Sequence, residues 1–72
     1  MLTYSLLSIN KNEYIYLYYP NGNIDAPGKI SIKSDGTRRI ICESADDIGQ
    51  RYAYHALRSI DINRTSGTIA WY

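Results

Sequence analysis

Phenylalanine is absent from this chain, and cysteine and histidine occur once each. Cys42 as the sole thiol excludes an internal disulfide, and with His55 as the sole imidazole the usual structural zinc sets cannot be assembled. Charge of one sign is also lacking, because 8 Lys+Arg against 7 Asp+Glu leave a net charge of +1. That balance removes the broad cationic field with which general nucleic-acid binders collect phosphates. Long apolar runs are missing too. The start, Met1-Leu2-Thr3-Tyr4-Ser5-Leu6-Leu7, has no basic segment and no extended hydrophobic stretch, so neither a signal peptide nor a membrane span is read there. A lone cysteine suits a reducing compartment, and the expected location is the cytoplasm.

What remains is a globular composition: 72 residues, 44% hydrophobic and 21% charged, expected to form a single domain over 1–72. At this size one core supplies only a few kcal/mol of net stability. With neither disulfide nor metal to add to it, self-association is the remaining common remedy, and a homodimer is expected.

Tyrosine is abundant, with 8 residues, and half of these, Tyr14, Tyr16, Tyr18 and Tyr19, fall in one short segment. The segment Glu13-Tyr14-Ile15-Tyr16-Leu17-Tyr18-Tyr19-Pro20 alternates as a β-strand with unlike faces, one carrying Tyr14, Tyr16 and Tyr18 and the other Ile15, Leu17 and Tyr19. One set covers a core and the other lines a second surface. Alternation alone does not say which, and the tyrosine face suits a partner interface, a stacking platform or a docked helix.

Around that segment, Leu2 to Ile9 reads as a first strand, joined to it through Asn10-Lys11-Asn12 as an antiparallel hairpin. Pro20 to Gly28 holds turn and breaker residues and reads as a loop. Lys29–Lys33 and Arg38–Cys42 form a second hairpin around Asp35-Gly36. Ser44, followed by Asp46 and Asp47, predicts a helix start, with the helix running to Ser59 or Ile60 and Gly49, Ala53, Ala56 and Ile60 on its inner stripe. Thr68 to Tyr72 reads as a last strand. The expected class is α+β: a four-strand antiparallel sheet followed by one helix and a C-terminal strand, ββββαβ.

Chemical motifs are few. Cys42 and His55 are the one conceivable nucleophile and base, but Cys42 reads as a small buried hydrophobe on the strand face it shares with Ile40. Asp25 with Asn21 and Asn23 has the oxygen-rich start of a calcium loop, yet Ile32 stands where the closing acid belongs. There is no phosphate-cradling glycine loop, GxSxG or HExxH. No enzymatic activity, metal or cofactor is expected. Lys29, Lys33, Arg38 and Arg39 cluster on the third and fourth strands, where they would have to meet the tyrosine face to bind nucleic acid by stacking and phosphate contacts. On the helix, Tyr54 and Arg58 are i,i+4 neighbours of interface-prone type on the side expected to face solvent.

The segments Tyr18-Tyr19-Pro20-Asn21-Gly22-Asn23 through Pro27-Gly28, Arg51-Tyr52-Ala53-Tyr54-His55-Ala56-Leu57 and Gly67-Thr68-Ile69-Ala70-Trp71-Tyr72 resemble a group of short bacterial proteins, mainly from Gram-positive bacteria. The likeness covers most of the chain after residue 14 and carries no activity across, since that group has no established function. It implies a stand-alone cytoplasmic product. The functional expectation is a small non-enzymatic interaction module, a homodimer acting as an accessory, immunity or inhibitor protein. Its expected partner-binding residues are Tyr14, Tyr16, Tyr18, Tyr54, Arg58, Trp71 and Tyr72. Local nucleic-acid binding is the weaker alternative, and no membrane role is expected.

Overall fold

A computed structural model describes residues 1–69, so the expected aromatic anchors Trp71 and Tyr72 lie outside the described residues. The strands are β1 (Leu2–Asn10), β2 (Glu13–Pro20), β3 (Gly28–Lys33), β4 (Arg38–Cys42) and β5 (Ser66–Ile69), and the helix α1 (Arg51–Ser59) precedes β5. All five strands join one antiparallel sheet in the order β4-β3-β2-β1-β5. The chain order ββββαβ agrees with the sequence reading, but the last strand completes a five-stranded sheet by pairing with β1. The tyrosine-rich β2 is central, paired on both sides.

The helix lies on one face of this sheet, because its inner stripe is small and apolar. Ala53 and Ala56 are fully buried, Leu57 and Ile60 nearly so, and they meet Leu2, Tyr4, Tyr16, Tyr18, Ile30 and Ile32 from the strands. Small residues allow close approach of the helix, and the sheet's large rings fill the space between the layers.

Helix α1 starts later than the sequence suggests. Ser44 to Asp47 forms a turn, with the Asp47 amide donating to the Ser44 carbonyl at 3.0 Å, and the backbone is left-handed at Gly49 (φ 69°) and Gln50 (φ 61°). This break separates the acids from the first helical turn. The capping chemistry survives through tertiary contact. The Asp47 carboxylate accepts the amides of Tyr52 and Ala53, both at 3.0 Å, and so satisfies two donors that a helix start leaves unpaired. Asp47, expected in the first turn of the helix, is instead buried outside it.

Candidate interaction surface

The tyrosine face of β2 is the core. Tyr16 and Tyr18 are 0% exposed and Tyr14 is half-buried against the same cluster, so these three rings line the side under the helix and are not a free contact surface. This corrects their assignment as partner-binding residues. In a chain without phenylalanine the buried rings bring hydroxyls that need partners. Tyr18 Oη donates to Asp47 Oδ2 at 2.9 Å and accepts the Ser44 amide at 3.0 Å, while Tyr16 Oη donates to the Arg64 carbonyl at 2.7 Å. Burial, assisted by neighbouring acids, raises both phenols above the ordinary tyrosine pKa.

Two buried rings, Tyr18 of β2 and Tyr4 of β1, lie over glycine. Gly28 pairs with Tyr18 and Gly67 with Tyr4 across the sheet. A Cβ on Gly28 would fall 2.1 Å from the Tyr18 ring, and one on Gly67 would fall 2.7 Å from the Tyr4 hydroxyl. Each glycine therefore leaves the volume into which its cross-strand tyrosine folds.

The opposite face of the sheet has no second layer among the described residues. Its central row is Ile15, Leu17 and Tyr19 along β2, each half-buried by its in-sheet neighbours. Two bulges interrupt the ladders, at Leu7 between Leu6 and Ser8 in β1 and at Ile41 between Ile40 and Cys42 in β4, and these extra residues are 51% and 44% exposed. The second bulge also moves Cys42 to this open face, where it is exposed, correcting its placement as a buried hydrophobe beside Ile40.

Polar groups divide the open face into unlike halves. On the β3–β4 side stand Lys29, Lys33 and Arg39, with Glu13 accepting from Ser31 Oγ at 2.5 Å and ion-paired to Arg39 at 3.5 Å. The Ser31 hydrogen bond, with help from the nearby cations, holds the Glu13 carboxyl below its ordinary value. On the β1–β5 side the register places the hydroxyls of Thr3, Ser5, Ser8, Ser66 and Thr68 and, opposite Glu13, the Asn10 amide, and Ser5 Oγ lies 3.3 Å from Tyr19 Oη.

The basic cluster of the sequence is split by the pleat. Arg38 lies on the helix side and donates to the carbonyls of Leu57 and, at 3.2 Å, Ile60, at the helix C-terminus where a cation complements the dipole. Lys29, Lys33 and Arg39 lie on the face opposite Tyr14, Tyr16 and Tyr18, so the stacking-plus-phosphate surface expected from these residues is not assembled. Cys42 and His55 are likewise in different layers. His55 Nδ1 is 3.3 Å from the Arg58 guanidinium, and desolvation followed by that positive charge lowers the imidazole pKa. Tyr54, 55% exposed, and the exposed Arg58 occupy the outer side of α1, as their i,i+4 spacing suggests. Ile24 and Ile48, 76% and 85% exposed, stand on two loops joined by the Asn23–Asp46 hydrogen bond at 2.8 Å.

The sequence reading missed Ile15, Leu17 and Tyr19 as surface residues. Their signal was the same alternation that drew attention to the tyrosines. Among the described residues no helix is long and apolar enough to cross a membrane, and no group of three or more His, Cys, Asp or Glu side chains is placed to hold a metal ion. The fold and this face define a two-layer α+β domain with one uncovered sheet surface. Comparison with protein-family models, curated proteins and solved structures returns no match.

Proposed function

We propose that the protein is a small non-enzymatic interaction module whose contact surface is the open face of the sheet. The carrying observation is that the helix covers only one side of the sheet, while Ile15, Leu17 and Tyr19 run along the centre of the other. A contiguous apolar stripe within a polar rim has the anatomy of a protein contact site. The mixed polar groups around it fix orientation more than they add affinity.

Hydroxyl-radical footprinting tests this reading. Leu17 and Tyr19 are expected to be labelled in dilute purified protein and protected in an extract of the cells that make it or at high protein concentration, while Tyr54 on the helix stays labelled throughout. Full labelling of Leu17 and Tyr19 under every condition overturns it.

A further inference from the structure

We infer that the open face takes an amphipathic helix of a partner protein, one that carries acidic side chains along one flank of its apolar stripe. The inference rests on the interaction reading above and adds the chemistry and shape of the partner.

Charge decides the chemistry. The register sets Lys29, Lys33 and Arg39 beside the row of Ile15, Leu17 and Tyr19 together with one acid, Glu13, and that carboxylate is already engaged by Ser31 Oγ and Arg39. Lys29 has no carboxylate within ion-pair distance among the described residues, and Lys33 acts on Glu13 only as a nearby charge. Arg39 keeps 66% of its side chain exposed even while paired. Glu43, just past β4, acts on the Tyr18 phenol in the layer under α1. Cations beside an apolar row are matched by carboxylates at the border of an apolar surface, and a surface of their own sign is repelled. The β1 side of the row is neutral, with Thr3, Ser5 and Ser8, so acids are called for on one flank only. Phosphates share the sign of carboxylates, but a row of two aliphatic side chains and one ring is no platform for stacked bases.

Size decides the shape. Five strands about 4.8 Å apart and roughly 18 Å long present a flat area on the order of 400 Å², about half of what one partner gives to a standard interface. That is too little for a second globular domain and enough for one helix, whose diameter of about 10–12 Å spans β2 with a neighbouring strand on each side. Laid along β2, its apolar stripe meets Ile15, Leu17 and Tyr19, its acidic flank lies over Lys29 and Lys33, and its neutral flank lies over Thr3, Ser5 and Ser8. Arg39 adds to the cationic side from β4, since its guanidinium already reaches Glu13 on β2. The other face of the same sheet is covered in this way by α1, a helix of 9 residues. A contact of this size is transient, with an affinity in the micromolar range.

A lactam-bridged helical peptide of about 14 residues, roughly 21 Å long, tests the partner. It carries Leu along one stripe, Glu along one flank and Gln along the other, and forms with Gln or Lys in place of Glu are the controls. By fluorescence anisotropy the Glu form is expected to bind at least threefold more tightly than the Gln form and at least tenfold more tightly than the Lys form. Leu17→Asp should abolish binding of all three while the far-UV spectrum is retained, and the double variant Lys29→Glu, Lys33→Glu should reverse the order of the Glu and Lys forms. Equal binding of the three forms, or no binding of the Glu form at millimolar concentration, overturns the acidic helix as occupant. So does tighter binding to a single-stranded oligonucleotide or to vesicles of anionic phospholipid. If the Glu form fails to bind while Leu17 and Tyr19 are protected in extract, the interaction reading stands without this partner; if both residues are bare there as well, both fall.

Discussion

At the scale of single residues, the tyrosines act as a core that must also be hydrogen-bonded. Tyr18 Oη joins the Asp47 carboxylate to the Ser44 amide. In Tyr18→Phe both groups lose a partner inside the protein, and a loss of about 1–3 kcal/mol is expected in urea unfolding. The raised phenol pKa values set a pH dependence as well. Because the folded protein holds these protons more tightly than the unfolded chain, with its ordinary value of 10.0, their contribution is complete below about pH 10 and is lost as pH rises through the folded value. Unfolding free energy measured from pH 8 upward should be flat in this respect and then fall above 10, less steeply in Tyr18→Phe. The glycine–tyrosine pairs give a steric counterpart. Gly28→Ala forces its new methyl into the Tyr18 ring, and a destabilisation of about 2–3 kcal/mol is expected, as for an overpacked core; Gly67→Ala meets only the far end of Tyr4 and should cost less.

At the scale of elements, the helix depends on groups remote from it. Its start is supplied by Asp47 across a left-handed break, and its end by Arg38 from the edge strand. Asp47→Ala removes the acceptor for two helix amides and for Tyr18, so its effect should exceed an ordinary cap loss of about 1 kcal/mol. Arg38→Met keeps the stem but leaves the C-terminal carbonyls of α1 without their cation, and a loss of about 1–2 kcal/mol is expected in the same assay. Gln50 is left-handed without being glycine, so Gln50→Gly should be neutral or stabilising by up to about 1 kcal/mol. If Gln50→Gly destabilises by more than 1 kcal/mol, the Gln50 side chain has a role beyond tolerating that conformation.

At the scale of the whole molecule, one helix cannot cover both faces of a five-stranded sheet. The open face carries a net excess of cations on one half, so binding of the acidic helix should weaken as salt rises, though far less steeply than binding driven by phosphate contacts. Titration of the Glu peptide at low and high salt checks this: an affinity that does not change with salt would remove the charged half from the contact. The apolar row also predicts that Leu17→Asp lowers aggregation on heating, since desolvation of that stripe is what any association through it gains.

Local chemistry by itself determined the strands, both hairpins, the small-residue stripe of the helix and the absence of disulfide and zinc frameworks, because alternation, turn residues and residue counts depend on near neighbours alone. It did not determine which side of β2 faces inward. Tyr14-Tyr16-Tyr18 and Ile15-Leu17-Tyr19 are both amphipathic enough to cover a core, and the helix that decides between them lies thirty residues or more further along the chain. Tertiary structure made that choice: the rings reach hydroxyl partners in Asp47 and Arg64 and fold over Gly28 and Gly67, groups that become neighbours only once the sheet has closed. It also moved Cys42 and split Arg38 from Arg39, because a one-residue bulge and the strand pleat each reverse the face on which a side chain stands.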